Sequence, residues 1–263
     1  MHKLFFRIIA LVLVACASIP CPAQDSVAEK AARAYHDKNY NEALTLYKQA
    51  ANEQGVSAEL YYNLGNTYYR LGNRGQAILN YERALKLSPS MGKARDNLHF
   101  VKEKNVIRDE GEVTFFAAGA SAVARLMDSN GWATTALLLF IATIALALCY
   151  AFASTVKWRK WGFFGGIATL ALCACAVACA VSHYHTATAR DAAIVTAEQA
   201  TFGKSPREIV DSSEVAFTLP EGYKVAVTDS VTAGTDSTAT RWYKVSTHDG
   251  HVGWSDGKQI TII

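Results

Sequence analysis

Two stretches of this 263-residue chain, 131–156 and 161–182, contain no Asp, Glu, Lys or Arg. No other feature limits the possible folds so strongly. About 20 apolar residues cross the hydrocarbon core of a bilayer as a helix, and both stretches are long enough. Charge-free helices of this length would need a much larger soluble core than the rest of the chain can build, so the sequence predicts two membrane spans. The link "VKWRKW" carries Lys157, Arg159 and Lys160 beside Trp158 and Trp161. Short cationic loops stay cytoplasmic and Trp prefers the membrane interface. The outer flanks are less basic, with Asp128 before the first span and His183, Arg190 and Asp191 after the second. The expectation is a hairpin with a cytoplasmic loop at 157–160 and both ends facing outward. Without an intramembrane charge it offers no ion path or proton relay, which argues against a transporter. Small residues of the second span (Gly162, Gly166, Ala168, Ala171, Cys175 and Cys179) are expected to pack on Ala136, Ala142 and Ala145 of the first.

The opening "MHKLFFRIIALVLVACASIPCPAQ" reads as a secretory signal. It has a basic start, a short apolar run, and small residues before Gln24, which predicts a signal peptide over 1–23. "LVAC" is the rival reading, a lipobox with Cys16 as the lipidated residue, and an uncleaved anchor is a third. All three export the segment that follows and agree with the topology read from the hairpin. The expected location is a bacterial inner membrane with the N- and C-terminal domains in the periplasm. The other cysteines lie at Cys21 and within the apolar stretches, so the exported parts hold no disulfide framework. "CACAVAC" has no His or carboxylate interleaved and reads as helix packing rather than a metal site. A net charge of +3, with no dense basic patch outside the membrane loop, does not point to nucleic acid.

Ahead of the hairpin the pattern is amphipathic and repeats. Ala43, Tyr47 and Ala50 recur 34 residues later as Ala77, Tyr81 and Ala84, a spacing typical of helix-turn-helix arrays. Gly65 and Ala77 are small enough to let two helices approach. Tyr61, Leu64, Tyr68 and Tyr81 are large enough to fill the groove between them, and Pro89 ends the second helix. Residues 58–91 resemble a tetratricopeptide repeat at nearly every consensus position: Tyr61, Leu64, Gly65, Tyr68, Gly72, Ala77, Tyr81, Ala84 and Pro89. A first unit at about 24–57 is degenerate, with Ala31 and Ala34 where Gly and Tyr are usual. Residues 92–107 read as a capping helix with Ala94, Leu98 and Val101 inward, completing an all-α domain over 24–107. About three repeats are needed to bury a continuous core, so completion by a partner or by self-association is expected. The resemblance implies a peptide-binding concave face, here Tyr35, Tyr62, Asn63, Asn66, Tyr69, Arg70, Lys93 and Asn97. Asn63 and Lys93 match two positions of the family's carboxylate clamp. Ala28, Ala32 and Asn97 depart from the other three, which speaks against such a clamp. The linker 108–130 contains Phe115, Phe116, Val123, Leu126 and Met127, which suit either an interfacial or a packing helix.

Beyond Arg190 the period becomes alternating. "AAIVTA", "EVAFTL", "YKVAVTD", "RWYKVST" and "HVGWSD" predict five short strands, with a tight turn at "HDGH" and a polar loop over 228–240. Residues 190–263 resemble a bacterial SH3-like domain through "SPR", "LPEGYKVAV", "RWYKV", "DGHVGW" and "ITII". That implies an all-β barrel whose candidate contact residues are Phe202, Tyr223, Trp242, Tyr243 and Trp254. The predicted fold class is thus multidomain: a helical repeat domain, a two-helix transmembrane hairpin and an all-β SH3-like barrel. No nucleophile and base, phosphate loop, metal set or cofactor motif is visible, so no enzyme is expected. In order and motifs the chain resembles the Bat aerotolerance-associated family, in particular its BatE-like members. The resemblance implies a membrane complex with other Bat-family or periplasmic proteins in stress tolerance. The alternative is a cell-envelope sensor whose barrel binds peptidoglycan peptide.

Overall fold

The amino-terminal half forms five consecutive helices: α1 (Val27–His36), α2 (Tyr40–Gln54), α3 (Ala58–Arg70), α4 (Arg74–Leu87) and α5 (Gly92–Lys104). This computed structural model describes residues 26–105, 107, 119, 122–233 and 240–263. The signal segment with Cys16, the linker residues Phe115 and Phe116, and positions 234–239 lie outside them. Ser26 opens α1 with a capping box closed by Glu29, and Ser57 opens α3 by accepting from the Leu60 amide at 3.1 Å. The 34-residue period persists in the turns. The Asn39 amide donates to the Ala34 carbonyl at 2.9 Å, and Asn73 donates to Tyr68 at 3.0 Å. Each turn needs one left-handed residue, supplied by Gly72 (φ 84°) in the second unit and Lys38 (φ 63°) in the first. Between α3 and α4, a Cβ added at Gly65 would lie 2.7 Å from the Tyr81 ring, so the glycine allows the close approach.

Helix α4 is buried nearly all round, through Gly75, Ala77, Ile78, Leu79, Asn80, Tyr81 and Ala84. One side meets α3 and α5. The other meets the carboxy-terminal sheet, where Ile78 and Ile107 share a core with Ile194, Tyr223 and Ile263. One side of the short array is therefore covered by the chain's own sheet, a contact not expected from repeat number.

Two long helices follow, α6 (Ser129–Phe152) and α7 (Val156–Thr188), both long and apolar enough to cross a membrane. Only 6% of the apolar window of each is buried, so neither is the core helix of a soluble body. They pack on each other as an antiparallel pair. The Ser129 hydroxyl donates to the Ala180 carbonyl at 3.1 Å and Thr143 to Thr169 at 2.9 Å. A Cβ at Gly162 would lie 2.7 Å from the Leu146 carbonyl oxygen. Two expectations are corrected. The break falls at residues 153–155, so Lys157, Arg159 and Lys160 occupy the first turns of α7 rather than a loop. The contact stripe runs through Gly162, Thr169, Cys173 and Ala176, against Ala136, Leu139 and Thr143. Ala168, Ala171 and Cys175 are exposed, as is Ala145 of the first helix. Small residues occur at so many positions of α7 that composition could not select the phase; the threonine pair and Gly162 do.

The sheet comprises β1 (Ala192–Val195), β2 (Gln199–Gly203), β3 (Val215–Pro220), β4 (Lys224–Ala233), β5 (Thr240–Ser246), β6 (Val252–Asp256) and β7 (Ile260–Ile262). Its order is β3-β2-β6-β5-β4-β1-β7, and every pairing is antiparallel. Ala200 and Phe202 of β2 share one core with Ala193 and Val195 of β1 and Ile260 of β7. Strands far apart in the order thus meet, and the sheet curls around a single interior. Among the described residues, seven strands replace the five expected. "QATFG" was too short and polar to read as β2, although it pairs with both β3 and β6. β4 continues through Ala233 into the stretch expected to be a loop, because Asp229 to Ala233 pair in register with Thr240 to Lys244.

Candidate functional site

Helices α1, α3 and α5 are tied together along one side of the array, where Arg70, Lys93 and Phe100 are exposed. Arg70 Nε donates to the Tyr35 hydroxyl at 3.4 Å, tying α3 to α1. Lys93 of α5 reaches Glu59 of α3 at 2.5 Å and sits 4.6 Å from the Tyr62 ring centroid. Tyr69 packs edge-on against Phe100, their centroids 5.9 Å apart, and its hydroxyl accepts from Lys104 at 3.5 Å. In the centre, the Asn66 side-chain oxygen accepts from the Tyr81 hydroxyl at 2.7 Å and from the Asn97 amide at 2.8 Å. Two donors on one oxygen fix the Asn66 rotamer and hold α5 in line with α3. Burial pushes the Tyr81 phenol well above its usual range, so it remains a hydrogen-bond donor.

Seven of the eight expected concave-face residues are thereby linked: Tyr35, Tyr62, Asn66, Tyr69, Arg70, Lys93 and Asn97. Asn63 is half-buried on the same helix, and its carbonyl accepts from Thr67. Tyr35, Tyr62 and Tyr69 are half-buried, while Arg70, Lys93 and Phe100 are exposed. Phe100 is an aromatic of this face that sequence reasoning passed over. Its place three residues beyond Asn97, nearly one turn along α5, was the available signal.

The sheet candidates divide differently. Phe202 is 0% exposed and stacks on Phe217 at 4.7 Å, and Trp242 is 7% exposed. Both are buried and not contact surface: Phe202 belongs to the sheet core, whereas Trp242 is covered on the opposite face of β5 from Tyr243 and Val245. Tyr223 is half-buried at the junction with α4 and packs against both the helical and the sheet cores. Trp254 and Tyr243 are half-buried, and Tyr243 lies 6.0 Å from the Arg241 guanidinium.

The junction is built from residues that no motif signalled. Asn73 makes no side-chain cap at the start of α4. Instead Glu221, from the β3–β4 turn, accepts from the Gly75 amide at 2.6 Å, satisfying an orphan donor at the positive end of the helix dipole. A Cβ on Gly75 would lie 2.8 Å from the Val195 carbonyl oxygen. Gly222 (φ 90°) faces Ile78 and Ile107, whose terminal methyls would lie 2.6 and 2.7 Å from an added Cβ. Glu82, nearly buried, bridges Lys102 at 3.0 Å and Lys224 at 2.9 Å. Burial pushes its carboxyl up, but the attraction of Lys224 and Lys102 outweighs this and holds it below the usual glutamate range. Arg83 donates to the Ile262 carbonyl at 2.7 Å and Lys86 to that of Ile263 at 2.9 Å.

A family model of the tetratricopeptide repeat matches residues 58–91, covering α3, α4 and the turn beyond. A protein SGT1 homolog of Oryza sativa subsp. japonica is 35% identical over 72 residues, which make up 27% of this chain and 20% of that protein. The chain thus spans about a fifth of the length of that relative.

Proposed function

We propose that this protein is a non-enzymatic, membrane-anchored adaptor that captures an extended peptide segment of a partner on the α1/α3/α5 face. The observation that carries this reading is the asymmetry of the array. Its α4 side is covered by the chain's own sheet, while on the opposite side no described element covers the tyrosine- and cation-lined face, where Arg70, Lys93 and Phe100 are exposed. Lys93 is already engaged by Glu59, which weighs against a carboxylate clamp and favours contacts along the body of the peptide. In this reading α6 and α7 cross the bilayer. Lys157, Arg159 and Lys160, next to the exposed Trp158 and Trp161, hold their end in the cytoplasm. The antiparallel hairpin returns the chain to the opposite side, which would put helical array and sheet together in the periplasm. The resemblance to the Bat aerotolerance family, and of the sheet to SH3-like domains, suggests a membrane complex of the stress-tolerance type as the setting. The alternative is a sensor binding peptidoglycan peptide through the sheet; of its five candidate contacts, Phe202 and Trp242 are buried, Tyr223 and Tyr243 pack on the sheet core, and Trp254 is half-buried.

Crosslinking in native membranes followed by mass spectrometry tests the reading. Partners captured by the wild type should be lost in a Tyr62→Ala, Tyr69→Ala variant of unchanged Tm. Full retention of every partner would reject the face as the contact site.

A further inference from the structure

A second cleft, of about 740 Å³, opens where the helical array, the exit of α7 and the sheet meet. Four cations line it: Arg83 and Lys86 from α4, Arg190 from the segment after α7, and Arg241 from β5. Asp229 is the one acidic side chain in the lining among the described residues. Asp191, next in sequence to Arg190, faces the adjoining cleft instead. No carboxylate among the described residues lies within ion-pair distance of Arg190 or Arg241. Arg83 and Lys86 spend hydrogen bonds on main-chain oxygens of residues 262, 263 and 189, which fixes their heads. Burial, with the positive charges of Lys224, Arg190 and Arg83 around it, pulls the Lys86 ammonium below its usual range despite the opposing pull of Asp191. A site that gathers four cations from three separate elements around a single acidic side chain favours an anion.

The rest of the lining says which anion. Val56 and Leu87, both exposed, with Ile262 and Ile263, give the cleft an apolar margin. Ala187 and Arg190 place it just past the point where the charge-free stretch ends at Ser182. Ala187, five helical residues further on, lies about 7.5 Å beyond that point. The headgroup layer extends roughly 5–8 Å beyond the hydrocarbon on each side of a bilayer. The membrane-side rim of the cleft thus reaches the outer part of the headgroup layer, and the cleft is charged within and apolar at its margin. We propose that it holds the phosphate of an anionic phospholipid headgroup on the outer side of the membrane. This rests on the membrane reading given above. A lipid seated there would fix the tilt of the junction, and with it the open α1/α3/α5 face, relative to the bilayer.

The full chain should be floated with phosphatidylcholine vesicles, then examined by native mass spectrometry in detergent with phosphatidylglycerol and phosphatidylcholine at equal concentration. Three proteins are compared: wild type, Arg190→Gln/Arg241→Gln, and Lys157→Gln/Arg159→Gln/Lys160→Gln, which removes cations from the far end of the hairpin. Both arginines are exposed, so the first variant should keep the wild-type Tm. The expected result is a several-fold preference of the wild type for retained phosphatidylglycerol. It should fall at least threefold in Arg190→Gln/Arg241→Gln and persist in the far-end variant. Equal preference in wild type and Arg190→Gln/Arg241→Gln would overturn the site. Loss of the preference on adding inorganic phosphate at the lipid's concentration would overturn the lipid assignment in favour of a soluble anion. Failure to float with phosphatidylcholine vesicles would overturn the membrane reading and this inference together.

Discussion

At the scale of single residues, three glycines and one lysine hold most of the backbone logic. Lys38 occupies the left-handed position that Gly72 takes 34 residues later. A side chain there costs about 1 kcal/mol, so Lys38→Gly should raise stability by roughly that amount in chemical unfolding. Gly65 is the opposite case. Its added Cβ would meet a Tyr81 ring held by Asn66 and unable to swing away. Gly65→Ala should therefore cost about 1–3 kcal/mol. Gly75→Ala would press on the Val195 carbonyl, which is backbone and yields least, and should lower Tm while leaving the far cluster around Ala43 and Tyr47 intact. Hydrogen exchange that protects α2 but exposes α4 would show this. Gly65 was legible in the sequence from its place in the repeat. Gly75 was not, because its neighbour Glu221 lies 146 residues away and no local pattern encodes that contact.

Among elements, the junction between α4 and the sheet decides whether the chain carries two modules or one body. Glu82 is its electrostatic pivot. Its carboxyl is held below the usual glutamate value of about 4.5, so its stabilisation is complete above that value and is lost as pH falls through the lowered one. Acidification from about pH 5 to about pH 3 should weaken the junction in the wild type. Glu82→Gln should flatten that pH dependence and cost about 3 kcal/mol at neutral pH. Thermal scans across the pH series read both. Helices α3 to α5 could be read closely from the sequence because an aromatic and small-residue period runs through them and Pro89 marks a boundary. β2 could not, since five residues containing Gln, Thr and Gly acquire strand character only from neighbours on both sides. The grouping of Tyr35, Asn66, Arg70, Lys93 and Asn97 on neighbouring helices was legible because the repeat fixes their register. The cationic cleft was not, as its four cations come from three separate stretches of sequence. Within the hairpin, Gly162→Leu would collide with the backbone at Leu146 and should separate α6 from α7, measurable as loss of an engineered crosslink between positions 136 and 176.

For the whole molecule, the hairpin is what gives the junction meaning. The start of α6 and the far end of α7 lie together, since Ser129 bonds to Ala180 and His183 reaches the Ala124 carbonyl at 2.8 Å. Array and sheet therefore emerge at one end, and Lys86 joins α4 to the Ala189 carbonyl just beyond α7. The proposed adaptor depends on that shared side. Single cysteines at Ser90, His248 and Lys160, in a background where the native cysteines are replaced by Ala, report it directly. All three positions are exposed. In spheroplasts treated with a membrane-impermeant maleimide, Ser90→Cys and His248→Cys should label, and Lys160→Cys should label only after lysis. Labelling of Lys160→Cys in intact spheroplasts, or of one soluble position without the other, would contradict the account.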